Sequence, residues 1–163
     1  MELLKLELKE NYILDKPYRI IALESIVLSS GTWIFEMTID KRAYAMAIGV
    51  FNASVLGKYE YNSDSEYLRD FYGYYHGGAS FNMIADGKRE HSNFKVNNLN
   101  WKKDEKVGVI VDIDRGFMKL IHNNKILEYK YVNLPNKVIP FINLHEIDEV
   151  KIYIPKRVEI NLV

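Results

Sequence analysis

The chain has no cysteine, which excludes disulfide bridges, thiol catalysis and the thiolate ligands of structural zinc. It has no net charge either. Lys plus Arg is 22 and Asp plus Glu is 22, so no overall field draws the protein to nucleic acid or an acidic membrane. Long apolar runs are also missing: Met1-Glu2 opens with an acid, and neither a signal-like nor a membrane-spanning stretch follows. These absences imply a soluble cytoplasmic or nuclear protein that binds neither nucleic acid nor membrane. No helix-period stripe, internal repeat, low-complexity tract or linker appears, so residues 1–163 fit a single domain. A chain of this size buries roughly 70% of its unfolded surface and needs no covalent staples.

What is present is strand pattern. Val107, Val109, Val111 and Ile113 alternate with smaller or polar residues, the period of a strand with one buried face. Asp114-Arg115-Gly116 supplies a turn, with Gly at a left-handed position, and Phe117 to His122 runs back. Asn123-Asn124 offers a second tight turn before Lys125 to Tyr129, completing a three-stranded antiparallel meander. Leu4, Leu6 and Leu8 alternate at the start of the chain. Near the end Val150, Ile152 and Ile154 alternate, Pro155 interrupts, and Val158, Ile160 and Leu162 resume. Both termini are therefore expected in a sheet. Between them Thr32 to Ile39 is a strand with Trp33, Phe35, Met37 and Ile39 on one face. Ala45, Ala47 and Gly49 share a face that should lie under bulky neighbours, on the Trp33 side. Residues 51–70 hold no sustained period and at most one helical turn after Asp64. The stretch from Phe71 to Met83 reads as short strands around Gly73, Gly77 and Gly78. About a dozen short strands with turns every 8–12 residues imply an all-β, two-sheet antiparallel sandwich.

The order and wording of several pieces resemble the SPRY domain family. Ser29-Ser30-Gly31-Thr32-Trp33-Ile34-Phe35-Glu36 is similar to the family's opening strand, Ile48-Gly49-Val50 to its Ile-Gly-Val strand, and Tyr72-Gly73-Tyr74 to its aromatic-Gly-Tyr segment. Val107-Gly108-Val109 through Asp112-Ile113-Asp114-Arg115-Gly116 resembles its central meander, and Val138-Ile139-Pro140-Phe141-Ile142 a late strand. His122-Asn123-Asn124-Lys125 stands where the family has Lys-Asn-Gly-Lys; Asn124 replaces the glycine, and Asn accepts positive φ. The resemblance covers about residues 29–153 and implies a concanavalin-like (lectin-like) jelly roll of SPRY type. It also implies a non-enzymatic, monomeric, adaptor-like module that binds a short peptide of a partner protein through loops at one end of the sandwich.

Carried over by position, the early connection supplies Tyr18 and Arg19, and the loop after Val50 supplies Asn52, Ser54, Tyr59 and Tyr61. The connection after Asn143 supplies Leu144 and His145. Composition adds Tyr67 and Arg69. Six of the 12 tyrosines lie from Tyr59 to Tyr75, mixed with Lys58, Asn62, Ser63 and Arg69, and such mixtures mark recognition loops. Tyr72 and Tyr74, flanking Gly73 on a strand, are read as packing residues. Trp33 is read as core, and Trp101 as core or as a lid on the sandwich end.

Catalytic chemistry finds little support. Asp112 and Asp114 are about 7 Å apart if both lie on a strand, but Asp is a common turn residue and no third ligand stands near. His76, His91, His122 and His145 lack ligand spacing and read as surface or loop residues, so no metal or cofactor is expected. Ser29, Ser30 and Ser54 lie in turns without a nucleophile elbow. Asn52-Ala53-Ser54 fits the N-glycosylation pattern, which goes unused without secretion. The alternative function is carbohydrate binding on a lectin-like sandwich, which needs exposed tryptophan or metal-holding Asp/Asn loops. A glycosidase would need two carboxylates in a cleft, for which only Asp112 and Asp114 come close.

Overall fold

The meander forms as the alternation requires. Strand β8 (Lys106–Asp112) pairs antiparallel with β9 (Phe117–His122), and β9 with β10 (Lys125–Tyr131). Asn123 and Asn124 turn the second hairpin at φ 49° and 67°, the left-handed region that asparagine tolerates. Gly116 closes the first hairpin at φ 71°, its N–H donating to Asp112 O at 2.8 Å. The structure, a computed structural model, describes residues 9–12, 18–23, 25–41, 45–55, 71–77, 80–85, 88–90, 101–145 and 148–159. The expected strands at Leu4–Leu8 and Ile160–Leu162, and the turn after Asp64, lie outside these residues.

Two antiparallel sheets make up the described fold. The smaller runs β10-β9-β8-β3-β12, where β3 is Thr32–Lys41 and β12 is Glu149–Ile152. The last strand, β13 (Lys156–Val158), also pairs with β3. Pro155 thus splits one edge strand in two rather than ending it. The larger sheet runs β1-β2-β11-β4-β5-β6-β7. Its members are β1 (Lys9–Tyr12), β2 (Tyr18–Ala22), β4 (Ala45–Asn52), β5 (Phe71–Gly77), β6 (Ser80–Ala85), β7 (Lys88–Glu90) and β11 (Val138–His145). A 3-10 turn at Ala53–Val55 is the one helical element among the described residues.

The core lies between the sheets. Phe35, Met37 and Ile39 of β3 and Val107, Val109 and Val111 of β8 meet Met46, Ile48 and Val50 of β4 and Ile142 and Leu144 of β11. Trp33 packs partly buried against this cluster, and Trp101 is 0% exposed within it, so both are core residues. Two tyrosines cross the gap. Tyr131 donates its hydroxyl to Gly73 O at 2.6 Å, and Tyr74, itself 0% exposed, donates to Met118 O at 3.3 Å.

Two expectations need correcting. Ala47 and Gly49 are buried, but on the face of the larger sheet that points away from Trp33, since Met46, Ile48 and Val50 take the core side. There Gly49 stands opposite both Gly73 and Phe141, and the Phe141 ring covers Gly73. A Cβ on Gly49 would fall 2.0 Å from Tyr72 O, so only glycine lets β4 and β5 run this close. The second correction concerns β5, a single strand passing straight through Gly73, because its pairing with β4 and β6 continues across that residue.

Candidate functional site

Those sequence-predicted binding residues that are described fall at two opposite ends of the sandwich. At one end β4 finishes in Asn52, whose Oδ1 accepts the Ser54 N–H at 3.0 Å and the Ser54 hydroxyl at 2.8 Å. That local turn redirects the chain and leaves Ser54 exposed. Phe51 pairs with Phe71, so the connection formed by residues 56–70 leaves and returns at this same end. Tyr59, Tyr61, Tyr67 and Arg69 belong to that connection and lie outside the described residues.

Tyr18, Arg19, Leu144 and His145 are at the other end, where Tyr18 pairs with His145 and Arg19 with Leu144. Because Asn52 pairs with Val138, the 8 residues of β11 separate the two groups, a span of about 24 Å. One short-peptide footprint at one end does not include both. Leu144 is also corrected as a contact residue. At 2% exposure its side chain points into the core, since its place in the β11 alternation puts it on the inner face with Ile142.

Polar groups around the first hairpin and the start of β3 are committed to turns. Gly31, at φ 81°, donates its N–H to Asp114 Oδ2 at 3.2 Å and accepts from Ile113 N at 2.9 Å, joining the start of β3 to the first hairpin. Trp33 Nε1 donates to Ser30 O at 2.7 Å. Asp112 accepts the Arg115 N–H at 2.9 Å, with the Arg115 Nε 3.8 Å from its other oxygen. These two carboxylates therefore act as hairpin residues, as the turn reading held.

His122 departs from the sequence reading. It is a buried residue of β9, 9% exposed, with Nε2 3.2 Å from Glu105 Oε2. Glu105 also accepts the Lys102 N–H at 2.7 Å and the Asn123 amide. Burial pushes the Glu105 carboxyl up, but these donors and the nearby His122 together hold it below its ordinary value. Alternation could have flagged His122, because it shares the inner face of β9 with Met118 and Leu120. No group of three His, Cys, Asp or Glu side chains among the described residues is arranged to hold a metal.

Both faces of the larger sheet are filled near its middle. Tyr74 and Val50 face the core. On the other side Phe71 stacks on Phe141 at 4.8 Å and meets Phe51 edge-on at 5.2 Å, all three buried. This packing occupies surface that stacked sugars would need. Among the side chains whose burial is described, the exposed large hydrophobic ones are Val27, Ile126 and Val132.

Comparison with known proteins fits this geometry. No curated protein matches the chain. Among solved structures, the SPRY domain of human HERC1 superposes with a TM-score of 0.58 at 13% identity, covering 89% of this chain and 86% of that one. The TRIM65 PSpry domain gives 0.57 at 11% identity, covering 85% of this chain and 70% of that one. At such identities the likeness concerns the fold. The SPRY domain family model matches residues 32–157, from the first residue of β3 to the middle of β13, and that extent carries the assignment: the chain belongs to the SPRY domain family, whose members generally serve as protein-interaction modules.

Proposed function

We propose that this protein is a non-enzymatic interaction domain that grips a short peptide of a partner protein with the tyrosine-rich connection between β4 and β5. The observation that carries this reading is the register of β4 with β5. It anchors both ends of residues 56–70 on a rigid sandwich, beside the turn formed by Asn52 and Ser54. Tyrosine offers a large, stiff contact surface and a hydroxyl at low entropic cost, and Arg69 supplies a fork for a carboxylate. Tyr59, Tyr61 and Tyr67 then cover apolar side chains of the peptide. Tyr18, Arg19 and His145, at the far end of β11, take no part in this reading.

The test is capture of partners from a native lysate, with peptide mapping of whatever is retained. The Tyr59→Ala, Arg69→Ala double variant should lose about 1–3 kcal/mol of binding per hot-spot side chain while its melting temperature stays put. An Arg19→Ala variant should bind as the parent does. Equal loss of melting temperature and binding in the double variant would make those residues packing residues and end the proposal.

A further inference from the structure

Arg157 of β13 stands opposite Trp33 of β3. Directly opposed side chains share a face, and Trp33 alternates with the core residues Phe35 and Met37. Arg157 therefore lies on the inner side of the smaller sheet, at its rim. It is exposed, whereas Gly31, just before β3, is buried against it. A Cβ on Gly31 would stand 2.8 Å from Arg157 Nε and 3.1 Å from Cζ and Nη2, so the guanidinium occupies the space a side chain would fill.

Among the described residues no carboxylate pairs with this guanidinium. Asp114, the acid of the neighbouring hairpin, accepts the Gly31 N–H at 3.2 Å instead. The backbone donors nearby are committed too: Ile113 N–H to Gly31 O, Gly116 N–H to Asp112 O, and Arg115 N–H to Asp112 Oδ1. Trp33 Nε1 is held on Ser30 O at 2.7 Å, which fixes the indole beside Arg157. This corner thus offers one guanidinium fork next to a partly buried indole. It belongs to the end of the sandwich from which the connection of residues 56–70 leaves. Leu28 bridges to Val138, Val138 pairs with Asn52, and Gly31 follows Leu28 by at most about 11 Å of chain.

We propose that Arg157 reads a carboxylate of the bound peptide, so that the partner segment is acidic with an apolar residue beside the acid. The inference rests on the reading of this end as the peptide-binding end, and it names the chemistry of what binds there. The guanidinium fork matches the two oxygens of a carboxylate, and the neighbouring apolar side chain lies on the uncovered part of Trp33. A carboxylate suits this corner better than a phosphate. A phosphate group carries more charge and calls for several donors, whereas the amides around Arg157 are committed and Asp114 adds a negative charge close by. The acid comes from a side chain or from the peptide's own carboxyl terminus.

The experiment uses the full chain, labelled with nitrogen-15, and an alanine-rich peptide of about seven residues, blocked at both ends, with a leucine–glutamate–leucine centre. The Arg157 Nε–H and Trp33 Nε1–H signals should shift saturably with it, and should stay put when glutamine replaces glutamate. The glutamine peptide with a free carboxyl terminus separates the two sources: shifts with it assign the corner to a chain end, and none assign it to a side chain. Arg157→Gln should abolish the Trp33 shift, and Arg157→Lys should weaken binding about tenfold, since lysine keeps the charge and loses the fork. Neither should lower the melting temperature. Lys102→Gln with Lys103→Gln, exposed lysines at the opposite end of β3, should change nothing. Arg157→Gln should also reduce partner capture from lysate. Full capture by Arg157→Gln, with loss in the Tyr59→Ala, Arg69→Ala variant, would overturn this inference and leave the connection standing; the reverse pattern would spare Arg157 and end the role of the connection. No shift with the glutamate peptide, equal shifts with its blocked glutamine counterpart, or a tighter response to inorganic phosphate would also overturn it.

Discussion

At the residue scale, two carboxylates show how burial and partners set opposite pH behaviour. Glu36 is 5% exposed on the outer face of the smaller sheet, its chain lying over Gly108, where a Cβ would meet Glu36 Cγ at 2.5 Å. Burial raises its carboxyl above the ordinary value of 4.5, and the opposing charge of Lys106 offsets only part of that. A raised folded-state value means that this group's contribution to stability is full below its unfolded value and is lost as pH rises through its folded value. Glu36→Gln keeps the shape and removes the charge. It should therefore raise stability at neutral pH by roughly 1 kcal/mol and leave it unchanged in acid, as read by urea unfolding at a series of pH values. A wild-type advantage at neutral pH would refute this. Glu105 is the reverse case. Its lowered folded-state value gives stability that is present above the unfolded value of 4.5 and lost as pH falls through the folded one.

At the element scale, that second carboxylate locks the lead-in of β8 to the hairpin between β9 and β10. Glu105 bonds Lys102 N–H and the Asn123 amide, while Asn123 Oδ1 accepts the Lys106 N–H at 3.0 Å and its own N–H donates to Lys106 O at 2.8 Å. Glu105→Ala should cost about 1–3 kcal/mol at neutral pH, because two turn donors lose their acceptor and His122 its neighbouring carboxylate. The cost should fade in acid; the same cost at every pH would rule out the charge as its source. Chemical unfolding followed by tryptophan emission is well placed to see this, since Trp101 is buried beside the lock. The hairpin itself was legible from Asn123-Asn124. The lock was not, because it depends on Glu105 meeting a histidine far along the chain, which alternation cannot register.

At the scale of the whole molecule, the two sheets are held by apolar contact and by the hydroxyls that cross the core. Tyr131→Phe removes the bond to Gly73 O and leaves a buried carbonyl with one fewer donor. It should cost about 1–2 kcal/mol of unfolding free energy while partner capture stays unchanged. Loss of capture at unaltered stability would instead place Tyr131 in recognition. Tyr74 has the same position in the opposite sense, and burial pushes its phenol well above the ordinary range, so it stays neutral and able to donate. Only the assembled sandwich makes such pairings, because the partners are 58 and 44 residues apart in sequence.

The amino-acid sequence alone determined the all-β class, the meander and the inner face of β3, since each is written in local alternation and turn chemistry that neighbouring residues enforce, and the family was legible separately, in the order and wording of its motifs. Tertiary structure decided where the candidate binding residues stand. Asn52 and His145 look like members of one loop cluster in sequence, yet they occupy opposite ends of the sandwich, because Asn52 pairs with Val138, the first residue of β11, and His145 is the last residue of that strand.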